Sequence, residues 1–374
     1  MEKIKVLIID DSSIVHILLK KVFLEFPDIF IVGEAYDGRE GVDLAMRESP
    51  DVIIMDIGMP KMDGLEAIQV IMQEKPTPII VLSAASNNTI GLGFKAIELG
   101  AVELIEKPYT ADFSLLKKVI EEKLIKSIRT FSDFKVIRRL KGGESYSEKK
   151  RIKEEEKVKT REALPNAQVE QKKETRHKVE GFPIIGIAAS TGGPQTIKKL
   201  LAGFPVKEMG AGVVILQHIA DGFVQGFCDW LNESSSVKIE VAKEGEAIRP
   251  NVISIAPDGH HLIFDHKGRF LFEDSPPIVG IRPSADIMID SLGKVYKERV
   301  IVLILTGMGG DGSKGLAAVK ENGGYVIAQD EESSLIFGMP KMAIETGLVD
   351  KVMGLDKMSE FLVGLYHERF RDHS

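Results

Sequence analysis

Lys3-Ile-Lys-Val-Leu-Ile-Ile-Asp10, with Asp11 directly after it, decides how this chain is read. A short run of Val, Ile and Leu without polar alternation marks a strand buried on both faces, as in a parallel sheet. Working outward, four more such runs follow, at Ile29–Gly33, Val52–Met55, Ile79–Ser83 and Ala101–Glu106. Between them lie helix-period stretches at Ile14–Phe26, Gly38–Glu48, Gly64–Gln73 and Thr89–Leu99, and Ser114–Lys123 closes the unit. Five strands separated by amphipathic helices predict one doubly wound α/β domain over residues 3–123.

The pattern breaks from 124 to 180, which is crowded with Lys, Arg and Glu, as in Ser147-Glu-Lys-Lys-Arg-Ile-Lys-Glu-Glu-Glu156. Without a sustained apolar face, such a segment cannot bury enough surface to offset its ordering entropy, so it reads as a charged linker. It resumes at Pro183-Ile-Ile-Gly-Ile-Ala-Ala189 and runs on through 370. Further strands are expected at Gly212–Gln217, Val237–Val241, Val252–Ala256, His261–Asp265, Val300–Thr306 and Tyr325–Ala328. The architecture expected is two doubly wound parallel-sheet α/β domains, 3–123 and 181–370, joined by a flexible tether.

Composition narrows the class. At 374 residues the chain is long enough for two or three domains, and 44% hydrophobic with 28% charged residues is ordinary for a soluble globular protein. A net charge of -7 gives no reason to expect nucleic acid as a partner. Cys228 is the one cysteine, so no internal disulfide is possible, and between Phe227 and Trp230 it reads as a buried apolar residue. No apolar stretch approaches the roughly 20 residues of a membrane span, and the first run is too short for a signal peptide. The expectation is a cytoplasmic protein with no direct membrane insertion.

In doubly wound sheets the chemistry gathers at the carboxyl ends of the strands. Asp10 and Asp11 end the first strand, Asp56 the third, Ser83 the fourth and Lys107 the fifth. Clustered carboxylates imply a hard cation, and Mg2+ takes oxygen ligands and works with phosphate oxygens. A carboxylate can accept a phosphoryl group, with the lysine offsetting its charge and the serine hydroxyl bonding to it. The alternative is that these acids cap helices, as Asp11-Ser12-Ser13 could, but that does not account for the whole set.

In the second half, Ser190 follows a buried run and precedes Gly192-Gly193-Pro194, which opens a helix whose amides would favour an oxyanion. His218 ends the Gly212–Gln217 run, and Asp311 lies in Gly307-Met308-Gly309-Gly310-Asp311-Gly312 after the Val300–Thr306 run. Nucleophile, base and orienting carboxylate are the parts of a serine hydrolase. Ser190 or Thr191 as a plain N-cap, and His218 as a half-buried structural histidine, are the competing readings of the single residues. The stretch lacks glycine at position 188, so it is not the nucleophile elbow of α/β-hydrolases, and the glycine loop lacks the ending of a P-loop.

The first domain resembles the response-regulator receiver domain through Asp10-Asp11, Asp56 with Met59-Pro60 and Asp63-Gly64, Ser83-Ala84 and Lys107-Pro108. The second resembles the catalytic domain of the chemotaxis protein-glutamate methylesterases. The matching residues are Ala189-Ser190-Thr191-Gly192-Gly193, Gln217-His218, Ile255-Ala256-Pro257, Arg282-Pro283-Ser284-Ala285-Asp286, Thr306–Gly312 and Phe337-Gly338-Met339-Pro340. The resemblance implies a flavodoxin-like receiver ahead of a Rossmann-like esterase domain. It implies phosphorylation of Asp56 by a chemotaxis histidine kinase, with Mg2+ on Asp10, Asp11 and Asp56 and no cofactor for the esterase reaction. It implies hydrolysis of methylglutamate on methyl-accepting chemotaxis receptors, with deamidation of receptor glutamines at the same site. Ser190 would attack, His218 would move the proton, Asp311 would support the imidazole, and the Met308 amide would face the oxyanion. Arg282 would either steer acidic receptor surface or form a structural ion pair. Receivers often carry an aromatic switch residue three positions before the lysine, where this chain has Leu104. Two rival readings are a non-enzymatic phospho-switch and a hydrolase of small esters.

Overall fold

The computed structural model describes residues 3–84, 87–107, 117, 120–132 and 181–370. The tether expected at 124–180 lies outside the described residues from 133 on, as does most of the closing helix expected at Ser114–Lys123.

The first domain alternates strand and helix: β1 (Ile4–Ile9), α1 (Ser13–Phe23), β2 (Ile29–Ala35), α2 (Gly38–Glu48), β3 (Val52–Asp56), α3 (Gly64–Glu74), β4 (Ile79–Ala84), α4 (Asn87–Leu99) and β5 (Glu103–Lys107). The strands pair in parallel in the order β2-β1-β3-β4-β5. The apolar runs face helices on both sides, which is why Val6 to Ile9 and Val52 to Met55 are buried without alternation. Asp37 and Asp63 cap α2 and α3 by accepting the Glu40 and Glu66 amides, which satisfies donors the helices leave free.

The domain does not stop at 123. A π-helical turn, Ile120–Leu124, runs into α5 (Ile125–Ser132), and Leu124, Ile125, Ile128 and Phe131 are buried in the receiver core. Leu124, Ile128 and Phe131 recur at helical spacing, so the first turns beyond 123 carry an apolar stripe that the surrounding charges conceal.

The second domain comprises β6 (Ile184–Ala189), α6 (Gly193–Ala202), α7 (Val206–Met209), β7 (Gly212–Gln217), α8 (Val224–Asn232), β8 (Lys238–Val241), β9 (Val252–Ile255), β10 (His261–Phe264), β11 (Phe270–Glu273), α9 (Ala285–Tyr296), β12 (Val300–Ile304), α10 (Leu316–Glu321), β13 (Tyr325–Gln329), α11 (Met339–Glu345), β14 (Lys351–Met353) and α12 (Leu355–Arg369). Seven strands form a parallel sheet in the order β14-β13-β12-β6-β7-β9-β8. The strand expected at His261–Asp265 is not in it. It forms a separate antiparallel hairpin with β11, because the turn at Asp265–Gly268 returns the chain directly onto it. The short edge strand β14 was not anticipated.

Strand order reverses between β1 and β3 in the first sheet and between β6 and β12 in the second. Such reversals open a crevice at the strands' carboxyl ends. Asp10 and Asp56 stand at the first crevice, and Ser190 and the loop bearing Asp311 stand at the second.

Candidate functional site

At the receiver crevice, Lys107 Nζ lies 2.7 Å from both Asp10 Oδ2 and Asp56 Oδ1. Asp10, Asp11 and Asp56 each offer a carboxylate oxygen within 4.8 Å of the others. This all-oxygen set suits a small hard cation and fits Mg2+. Burial lifts the Asp10 carboxyl above its ordinary value despite the pull of Lys107. Burial alone would lower the Lys107 ammonium, but the Asp56 and Asp10 carboxylates outweigh it and hold it above its ordinary value. Ser83 is buried at the end of β4, beside this crevice. Gly64 is required here: a Cβ on it would stand 2.2 Å from the Asp56 carbonyl oxygen.

At the second crevice the register brings two strand ends together. Ala189 pairs with Gln217, so Ser190 and His218 are the next residues on neighbouring strands, and the His218 amide donates to the Ala189 carbonyl at 3.0 Å. The Ser190 amide donates to the Thr306 carbonyl at 3.0 Å, which ties the third strand end to the same point. His218 Nε2 lies 2.9 Å from Asp311 Oδ2, with both side chains nearly buried. Among the described residues no hydrogen bond joins the Ser190 hydroxyl to the His218 ring. Gly307 abuts the serine, since a Cβ on it would stand 2.8 Å from the Ser190 Cβ. The Met308 amide, next along, donates to no acceptor among the described residues.

Asp311 is held by more than the histidine. Ser284 Oγ donates to its Oδ1 at 2.7 Å, the Asp286 amide to Oδ1 at 3.0 Å, and the Ala285 amide to Oδ2 at 2.6 Å. The last two are first-turn amides of α9, where the helix dipole favours negative charge. Burial works against the carboxylate, but the bonds from His218, Ser284 and Ala285 prevail and bring Asp311 down to about 2.

Several residues that build this site were not singled out for it from the sequence. His261 is fully buried, accepts the Ser284 amide on Nδ1 at 3.0 Å, and therefore carries its proton on Nε2, which faces the Pro276 carbonyl at 3.3 Å. Gln217 Nε2 donates to the carbonyls of both Ser190 and His218 at 2.8 Å. Arg282 donates to the Ser275 carbonyl at 3.4 Å and forms no ion pair among the described residues. Cys228 is buried, and burial pushes its thiol up to about 11, as expected of an inert apolar cysteine.

The two domains meet at the second crevice. Phe94 of α4 is fully buried in the catalytic domain's core, with its ring 5.5 Å from those of Phe227 and Trp230. Gln195 of α6 donates to the Ile97 carbonyl, and Lys198 pairs with Glu98 at 3.4 Å. Leu104 packs against the cores of both domains, and a Cβ on Gly93 would stand 2.7 Å from its Cδ2. The position often aromatic in receivers is thus filled by a side chain wedged between α4 and the neighbouring domain. The Glu103 carboxyl of β5 is buried at this contact, where Ser127 and Thr191, the residue after the candidate nucleophile, favour its charged form. The Thr130 hydroxyl lies 4.0 Å from the Met308 sulfur, and Leu335 and Ile336 pack on the receiver core.

No helix among the described residues is long and apolar enough to cross a membrane. The response regulator receiver domain model matches residues 6–121, and the CheB methylesterase model matches residues 185–362. A protein-glutamate methylesterase/protein-glutamine glutaminase of Pyrococcus horikoshii is 35% identical over 364 residues, which cover 96% of this chain and 93% of that protein. One from Methanococcus maripaludis is 36% identical over 94% of this chain and 95% of its own. The crystal structure of the Thermotoga maritima CheB methylesterase catalytic domain aligns at 37% identity over 50% of this chain and 99% of that one, with TM-score 0.48. With relatives matched along nearly their whole length and both domain models matched, the chain belongs to the protein-glutamate methylesterase/protein-glutamine glutaminase family.

Proposed function

We propose that the protein is a phosphorylation-activated hydrolase that removes methyl groups from methylglutamate on chemotaxis receptors and deamidates receptor glutamines. The observation that carries the reading is the His218–Asp311 pair at 2.9 Å beside Ser190, at the strand ends of one crevice. With Nε2 engaged by the carboxylate, Nδ1 is the ring nitrogen left for the serine proton. Ser190 Oγ bonds to the ester carbonyl carbon as its proton passes to His218, and the Met308 amide faces the oxyanion. The carbon–methoxy bond then breaks, the imidazolium protonates the leaving oxygen, and methanol departs. Water repeats the sequence on the acyl-serine, giving up a proton to His218 and freeing glutamate and the serine. A glutamine follows the same course with ammonia leaving. The Ser190–His218 bond absent here would form on substrate binding, as catalytic hydrogen bonds commonly tighten in the complex.

Regulation follows from the domain contact. Receiver residues cover Thr191, Met308 and Leu335 around the crevice, so this arrangement is the closed one. Asp56 is the phosphoacceptor, and Asp10, Asp11 and Asp56 hold Mg2+, which offsets phosphoryl charge when bound. Lys107 and Ser83 contact the phosphoryl group. Lys107 now bridges Asp10 and Asp56 from the end of β5, and Leu104 and Glu103 of that strand touch the catalytic domain. Rearranging Lys107 around a phosphoryl group would act through β5 on this contact and shift the population toward an open form. A chemotaxis histidine kinase is the phosphodonor, and the enzyme works in the cytoplasm.

The test is methanol release from methylated receptor membranes, with and without a small phosphodonor and Mg2+. Release that rises with phosphodonor and disappears in Ser190→Ala is expected. No release from the wild type under either condition would refute the assignment.

A further inference from the structure

Asp286 lies outside the Ser190, His218 and Asp311 set, yet it is the residue most tightly bound into the loop that carries Asp311. Its Oδ1 accepts three backbone amides of that loop: Gly312 at 2.8 Å, Lys314 at 2.8 Å and Gly315 at 3.2 Å. The exchange is reciprocal, because Asp311 Oδ1 accepts the amide of Asp286 itself at 3.0 Å. The loop leaves β12, passes Met308 and Asp311, and turns at Gly312 with φ +98° before α10. A glycine-rich turn has many alternatives open to it, so its shape must be imposed from outside. The three amides taken up by one oxygen are what impose it. The approach is close enough that a Cβ on Gly315 would stand 2.5 Å from the Asp286 carbonyl oxygen.

We infer that Asp286 is a positioning residue for the hydrolysis, clamping the turn directly after Asp311 and so fixing the Asp311 carboxylate. This rests on the reading of Ser190, His218 and Asp311 as the reacting set. The clamp needs an accepting oxygen and not a charge. Burial and the neighbouring Asp311 lift the Asp286 carboxyl above its ordinary value, against the pull of the three amides. A carboxamide keeps an oxygen that accepts all three amides, whereas a methyl group leaves them unmatched. The Asn and Ala variants therefore separate.

The experiment uses the full-length protein with phosphodonor and Mg2+. Two rates are measured: methanol release from methylated receptor membranes, and labelling of Ser190 by a fluorophosphonate, which needs the serine and its base but no receptor. Asp286→Ala is expected to lower kcat about 10²-fold, the cost of roughly 1 Å of misplacement, with KM changed less than about threefold. Labelling should slow in parallel, and Asp286→Asn should recover both rates to within about tenfold of wild type. Equal losses in the Asn and Ala variants, a loss carried by KM, or an unchanged Ala variant would overturn the inference. If Asp286→Ala does not fold, the Asn variant decides: kcat and labelling near wild type support the clamp, and a 10²-fold loss in a folded Asn variant refutes it. A wild type that labels but releases no methanol would instead refute the receptor-esterase reading.

Discussion

Phe94→Ala should release the catalytic crevice without phosphorylation. Phe94 belongs to the receiver, on α4, yet it is 0% exposed and sits in the catalytic domain's core. Its ring lies 5.5 Å from Phe227 at 35° and 5.5 Å from Trp230 at 25°, the offset packing that aromatic pairs favour. Truncating a buried Phe to Ala costs about 3–5 kcal/mol. In an open form the side chain would already face water, so the open state loses little and the cost falls on the closed state. Taking about 3 kcal/mol, the closed-to-open ratio drops by roughly 10²-fold. The assay is methanol release from methylated receptor membranes by the full-length protein without phosphodonor. The basal rate of Phe94→Ala is expected to approach the phosphodonor-stimulated rate of the wild type, while its own stimulated rate stays near the wild-type value. A basal rate unchanged from wild type, in a variant with unchanged stimulated rate, would refute the idea that this contact closes the crevice.

The same contact should respond to pH through Glu103, whose Oε2 is fully enclosed without a hydrogen-bond partner. Burial pushes its carboxyl up to about 7, against the pull of Ser127, Lys123, Lys126 and Thr191. A carboxyl raised in the docked state stabilises docking at low pH, and that stabilisation is lost as pH rises through about 7. The ratio of basal to stimulated activity should therefore rise between pH 6 and 8, and Glu103→Gln should flatten it; a ratio independent of pH in the wild type would count against the contact. Asp311 has the opposite sign. Lowered to about 2 in the fold from an ordinary value near 3.8, it contributes about 2 kcal/mol above pH 4, lost as pH falls toward 2. Thermal melts at pH 5, 4 and 3 should show that loss in wild type and a smaller pH dependence in Asp311→Asn; parallel curves would disprove it. Chelation of Mg2+ should abolish stimulation by phosphodonor and leave the basal rate unchanged, and stimulation that survives chelation would remove Asp10, Asp11 and Asp56 from a metal role.

Much of the fold is written in short-range pattern. A strand buried on both faces must be apolar at every position, so Ile4–Ile9, Val52–Asp56, Ile184–Ala189 and Gly212–Gln217 stand out as continuous runs. Doubly wound sheets put their chemistry at the ends of such runs, which is why Asp10, Asp56, Ser190 and His218 are legible from the sequence alone. Where burial is partial or the partner is distant, the pattern is silent. Leu124, Ile128 and Phe131 make a helical stripe that dense charge hides, so the closing helix expected to end at Lys123 is continued by turns that the sequence pattern assigns to the linker.

Tertiary structure alone decides what surrounds the reacting groups. Ser284 and Asp286 reach Asp311 across 27 and 25 residues, and His261 reaches Ser284 across 23. Hydrogen bonds at that separation leave no periodic trace in sequence. In sequence Phe94 is an ordinary apolar position of a helix, and Leu104 stands out only as a non-aromatic residue at a position often aromatic in receivers. Only the docking of one domain on the other makes them part of a second core, because the hydrophobic effect rewards burial without specifying which surface does the burying.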